Sequence, residues 1–129
     1  MILALKTDNP EAELYICDDE HRIVEYRWHA HRELSDNLLA TIQQQLTKQH
    51  VNWQDIEGLI VFRGPGSFTG LRIGITVANA LSDSLSVPLV GEQGDDWISQ
   101  GLQRLSTEQY DDIVLPFYGA PARVTTQRK

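Results

Sequence analysis

Arg63-Gly64-Pro65-Gly66-Ser67-Phe68-Thr69-Gly70-Leu71-Arg72-Ile73-Gly74 follows directly on the continuous apolar run Leu59-Ile60-Val61-Phe62 and opens a segment whose apolar residues recur at helical spacing. An unbroken apolar run suits a strand covered on both faces, which means a sheet with helices packed against it. The quoted stretch is therefore a strand-to-helix turn, and it sets the fold class as α/β. Exposed N–H groups at a helix start favour anions, so a phosphate site is one reading of the turn. A P-loop, however, needs Lys and a hydroxyl residue immediately after its last glycine, and here Gly70 is followed by Leu71 and Arg72. Glycines at 64, 66 and 70 also miss the dinucleotide spacing. The plainer reading is a tight turn that uses glycine for positive φ and close packing, with Ser67 and Thr69 capping the next helix. A hydrolase built on Ser67 and Thr69 lacks the G-x-S-x-G elbow.

Upstream of the turn, residues 1–7 form an apolar run closed by the turn formers Thr7, Asp8, Asn9 and Pro10. Residues 11–17 and 22–30 read as two more strands around Asp18-Asp19-Glu20-His21, giving a three-stranded antiparallel meander. The period then changes. Leu34, Leu38, Leu39, Ile42 and Leu46 recur at three and four, with Gln43, Gln44, Gln45 and Lys48 on the other face, which predicts an amphipathic helix capped by Ser35 with Asp36 in its first turn. Downstream, a second helix over residues 70–86 is barred from continuing by Pro88, and Leu89-Val90-Gly91 is a short strand. Asp95 is placed to cap a third helix running through Leu105. The expected architecture is a single lobe over residues 1–112, a mixed sheet of about five strands with helices on it, followed by an extended tail over 113–129 whose last residues are mobile.

The second helix carries apolar residues on two faces. Leu71, Ile75, Ala78, Leu81 and Leu85 form one stripe, and Ile73, Val77 and Ala80 another. One can pack on the sheet; the other needs the first helix or a partner molecule. Gly70, Gly74 and Ala78 recur every four residues and would admit a close second helix.

Composition narrows the function classes. At 129 residues the chain has one domain's worth of sequence. The single Cys17 cannot form an internal disulfide, no metal-ligand Cys pair is present, and a reducing cytoplasm is expected. No leader pattern and no membrane-length apolar run are seen. The net charge of −7 and sparse basic residues disfavour direct nucleic-acid binding by this chain alone. His29 and His31, two apart on a strand, share a face but lack further ligands, so no metal is expected. Trp28, Trp53 and Trp97 lie on different elements and read as packing residues.

The run Arg63–Gly74 resembles the R-G-P-G-S-F-T-G-L-R-I-G signature of the TsaB (YeaZ) family at every position, and the likeness extends to Ile2–Thr7, Leu34–Leu39 and Val87–Gly91. The resemblance implies an actin-like (ASKHA, RNase-H-like) lobe whose nucleotide site has decayed. It also implies a non-catalytic scaffold that binds and activates TsaD in threonylcarbamoyladenosine synthesis on tRNA, with TsaE as a third component. In that family the first two helices pair with those of TsaD or of a second copy. Carried onto this chain, the interface falls on Leu38, Ile42, Ser67, Phe68, Leu71, Arg72, Gly74, Ile75, Ala78 and Asn79.

Three departures from the family pattern bear on function. Lys6 stands where the first strand usually carries an Asp, and a Lys cannot coordinate Mg²⁺. Family members usually have a second lobe. Leu115-Pro116-Phe117-Tyr118-Gly119 is similar to the family's extreme C-terminal segment, which suggests that the second lobe is missing from inside. TsaD is also expected to show two His four apart on a helix, which this chain lacks. No cofactor and no catalytic residue are expected. The alternatives are a small ATP-dependent phosphotransferase or hydrolase of the same superfamily, or a free-standing homodimer.

Overall fold

Residues 1–18, 21–30, 34–66 and 68–118 are described by a computed structural model. Five strands, β1 (Ile2–Lys6), β2 (Glu11–Asp18), β3 (His21–His29), β4 (Gly58–Gly64) and β5 (Leu89–Gln93), form one sheet in the order β3-β2-β1-β4-β5. The meander β1-β2-β3 is antiparallel, whereas β4 pairs parallel with β1 and β5 parallel with β4. The mixed sheet follows from the connections: turns join the first three strands, while helices bring the chain back for β4 and β5.

Three helices complete the layers: α1 (Leu34–Lys48), α2 (Phe68–Leu85) and α3 (Trp97–Ser106). Alternation along β1 assigns the faces. Thr7 continues the parity of Leu3 and Leu5, and its hydroxyl donates to the Gly70 carbonyl of α2 at 2.7 Å. The other parity faces α3, where Trp97 meets Tyr15 and Phe62 edge-on at 5.7 and 5.8 Å between centroids. Both faces are covered, so the centres of β1 and β4 are apolar on both faces, and Leu3, Ala4, Leu5, Leu59, Ile60 and Val61 are at most 1 % exposed.

Each helix ends on a left-handed residue, His50, Ser86 or Glu108, all at φ +58. The next N–H then reaches back to a carbonyl in the last turn: Val51 to Leu46, Val87 to Ser82, Gln109 to Arg104. This closure satisfies carbonyls that would otherwise be orphaned.

Local boundaries differ from expectation at the helix starts. Ser35 lies inside α1 and not at its cap, although Asp36 is in the first turn as anticipated. Asp96, one residue beyond Asp95, takes the cap position of α3 and makes no side-chain capping bond. In α1 the stripe is Leu34, Leu38, Thr41, Ile42, Gln45 and Leu46, so Gln45 is buried and Leu39, at 51 % exposure, faces out. The expectation had these two the other way round, because leucine and glutamine were sorted by polarity before angle.

The division at residue 112 falls within a segment that packs on the lobe. Residues 111–118 run as a strap along the β5 side. The Asp111 N–H donates to the Leu89 carbonyl at 2.8 Å, Val114 is 3 % exposed, and the Phe117 N–H donates to the Arg63 carbonyl at 2.7 Å. Residues 119–129, expected to be a mobile end, lie outside the described residues.

Candidate functional site

The turn between β4 and α2 is shaped by close contacts. Gly64 has φ +134, and a Cβ there would lie 1.8 Å from the Phe117 carbonyl oxygen of the strap, so no larger residue fits. The Gly66 backbone lies against the Asp8 side chain, bringing the β1–β2 turn to the β4–α2 turn.

Lys6 closes the same end of the sheet. Its ammonium lies 2.5 Å from Asp8 Oδ1 and 4.5 Å from the Phe62 ring centroid, with both charged side chains less than a fifth exposed. The Lys6 cation is thus held between a carboxylate and an aromatic face at the end of β1. Among the described residues no group of three His, Cys, Asp or Glu is arranged to hold a metal ion. His29 is exposed, and His31 lies outside the described residues.

α2 resolves which of its two stripes is free. Leu71, Ile75 and Ala78 are 0 %, 3 % and 1 % exposed, and on α1 Leu38 and Ile42 are fully buried. These five side chains belong to the core and have no surface to offer a partner, which corrects their assignment to an interface. Gly74 also faces inward: a Cβ on it would sit 2.2 Å from Thr7 Oγ1, so this glycine admits the sheet, not a second molecule's helix. Asn79 is committed within the chain, its amide donating to the Val114 carbonyl and its Oδ1 accepting the Val114 N–H, each at 3.0 Å. Phe68 opens α2, and Ser67 lies outside the described residues.

Of the expected interface residues on α2 with a described side chain, Arg72 is the exposed one. Around it the structure assembles a different set. A shallow groove of about 530 Å³ between the start of α1 and the first turns of α2 is lined by Ser35, Thr69, Arg72, Ile73, Thr76 and Val77. Ile73 and Val77 pack partly on the core and partly line this groove. Their angle of about 200° from Leu71 and Ile75, at 100° per residue, was available from the sequence. What was missing was which stripe the sheet would take.

At the β5 side, Arg104 of α3 donates to Glu92 Oε2 at 2.9 Å and to Asp111 Oδ1 at 2.8 Å, while Asp111 Oδ2 accepts the Gly91 N–H at 2.8 Å. Burial raises the Asp111 pKa, but the bonds from Arg104 and Gly91 outweigh it and the net shift is downward. This network pins the strap and touches none of the α1/α2 groove.

The comparisons agree with this architecture. YeaZ from Pseudomonas aeruginosa superposes with a TM-score of 0.67 at 25 % identity, over 84 % of this chain and 49 % of that one. The lobe is thus of the actin-like α/β class. The sequence pattern of the family described as "TsaD: tRNA N6-adenosine threonylcarbamoyltransferase" matches residues 28–98, more than half of the chain. The chain belongs to this family as a TsaB/YeaZ-type protein. It is 26 % identical over 119 residues to the tRNA threonylcarbamoyladenosine biosynthesis protein TsaB of Bacillus subtilis, covering 92 % of this chain and 50 % of that protein. With the TsaB of Escherichia coli K12 the identity is 38 % over 73 residues, 57 % of this chain and 32 % of the relative. The chain spans at most half the length of these two curated relatives. No helix of the described residues is long and apolar enough to cross a membrane.

Proposed function

We propose that the chain is a non-catalytic partner in threonylcarbamoyladenosine synthesis on tRNA, seating a TsaD-type transferase on its outer α1/α2 face, with TsaE as a further component, in the cytoplasm. The observation that carries this reading is the groove at the outer face of α2. There Ile73 and Val77 remain part-exposed after the sheet has taken Leu71, Ile75 and Ala78. An apolar row flanked by Arg72, Thr69 and Thr76 is a pattern suited to a second helix. Leu39 of α1, 51 % exposed, adds a further apolar contact on that helix. The non-catalytic part rests on Lys6, whose charge is already matched by Asp8. Two of the relatives named above are called tRNA threonylcarbamoyladenosine biosynthesis proteins, which supplies the pathway.

The test is co-purification with the TsaD-type protein of the same genome, followed by tRNA modification with and without this chain. Val77→Glu puts a charge into a half-buried apolar contact and is expected to weaken association at least about tenfold while the free chain still melts cooperatively. Ile75→Glu should instead unfold the lobe, because Ile75 is core. Full association by a folded Val77→Glu protein would refute the assigned face. Steady ATP turnover by the isolated chain, abolished by Lys6→Ala, would favour the small phosphotransferase instead.

A further inference from the structure

The strap over residues 111–118 is gripped from both faces of the sheet. Glu92 of β5 pairs with Phe62 of β4, whose ring meets Trp97, so Glu92 points into the α3 layer, and there Arg104 ties it to Asp111. Gly91, of opposite parity, faces the α2 layer: a Cβ on it would lie 2.5 Å from Val114 Cγ1 and 3.0 Å from Arg63 Cδ. Between these two anchorages the strap follows the edge strand β5, bridged to it at Leu89 and Asp111. We infer that residues 111–118 are a brace that opens and closes as one unit and couples the two faces of the sheet. Arg104 and Asn79 are its positioning residues, and the turn that opens α2 is the element it sets.

The spacing of the anchors makes the strap one unit. Asp111 bonds Arg104 and the β5 backbone, Val114 bonds Asn79 in both directions, the Leu115 carbonyl accepts from Arg63 Nε at 2.9 Å, and the Phe117 N–H donates to the Arg63 carbonyl at 2.7 Å. Segments held so closely open together, not residue by residue. What makes the strap openable is how little it buries. Val114 is the one buried side chain among residues 111–118, whereas Ile113 and Leu115 are each 62 % exposed, so closure rests on directed bonds and not on a share of the core. The route to α2 runs through Arg63, which receives the last two anchors. Directly after it, Gly64 is held at φ +134 against the Phe117 carbonyl, and the turn then leads into Thr69 and Arg72, which line the α1/α2 groove. A closed strap therefore fixes the start of α2 from the far edge of the sheet.

Amide hydrogen exchange of the 129-residue chain, read by nuclear magnetic resonance, tests the brace through three bonded amides, those of Asp111, Val114 and Phe117. In the wild type they are expected to share one level of protection, below that of the β4 amides. Arg104→Gln acts from the α3 face and should speed exchange at Val114 and Phe117 as much as at Asp111, at least about tenfold, while the centres of β1 and β4 stay protected. Gly91→Ala pushes on Val114 from the sheet and should have the same effect on all three; it gives the answer even if Arg104→Gln fails to fold. Acceleration confined to Asp111 in the first variant, or to Val114 in the second, would overturn the proposal. The consequence for a partner rests on the docking face proposed above. By linkage, a TsaD-type protein seated on the α1/α2 groove should slow exchange of the same three amides without touching them, and Arg104→Gln should weaken association about threefold or more, with Arg104→Lys between the two. Strap amides unchanged in a complex that does form would refute the coupling. A chain that fails to associate counts against the docking face instead, and exchange in the free chain still decides the brace.

Discussion

Replacing Gly74 by Ala tests how α2 is seated. The new Cβ would lie 2.2 Å from Thr7 Oγ1 and 3.1 Å from Thr7 Cγ2, and Thr7 is 1 % exposed, so its side chain cannot yield without cost. The helix must move off β1, or Thr7 must rotate and give up its bond to the Gly70 carbonyl. Overpacking of this kind costs about 1–3 kcal/mol and a lost buried hydrogen bond about 1 kcal/mol, against about 1 kcal/mol gained because Ala is the better helix former. The net is a loss of about 2 kcal/mol, or roughly 8 °C in thermal midpoint for a domain of this size. Differential scanning calorimetry of wild type, Gly74→Ala, Thr7→Ala and the double variant reads the coupling. In the Thr7→Ala background the 2.2 Å contact is gone and only the Thr7 Cβ at 3.2 Å remains, so the second substitution should cost much less than in the wild type. A Gly74→Ala protein as stable as wild type, or two substitutions whose effects simply add, would refute the packing argument. The same geometry means that Gly74→Leu, which the small-residue spacing presents as an interface probe, disrupts the lobe itself.

Asn79→Ala leaves the N–H and carbonyl of buried Val114 without their partner; about 1–3 kcal/mol of destabilisation is expected, with faster amide exchange concentrated in residues 111–118. The depressed Asp111 carboxyl contributes stability that is present above its unfolded value near 4 and is lost as pH falls through the lower folded value. Acid unfolding should therefore begin at higher pH in Asp111→Asn than in wild type when the two are compared by circular dichroism. Burial, and then the hydrogen bond to Glu13, push Tyr15 up to about 12, so its contribution is complete below pH 10 and lost as pH rises through 12. Ultraviolet titration should show a late tyrosine signal that is lost in Tyr15→Phe, and a high-pH titration unchanged by that substitution would contradict the burial.

Much of this lobe was readable along the chain because its signals are local. The apolar run Leu59–Phe62, the glycine turn after it, the leucine period of α1 and the stop at Pro88 each depend on neighbours a few residues away, and together they gave five strands, three helices and a mixed sheet. The twelve-residue motif likewise carried the family. Tertiary structure alone decided which face of each helix was spent. Ile75 and Val77 are both β-branched and apolar, and nothing in their identity says that the sheet buries one and leaves the other partly exposed; that choice is made by contacts distant in sequence, among them the bond from Thr7 to the Gly70 carbonyl 63 residues away. Residues 111–118 show the same limit. From residue 113 onward the sequence reads as an extended tail, yet Asn79, Arg63 and Arg104 come from three separate elements to hold the segment, and long-range partners of that kind leave no periodic trace in the sequence.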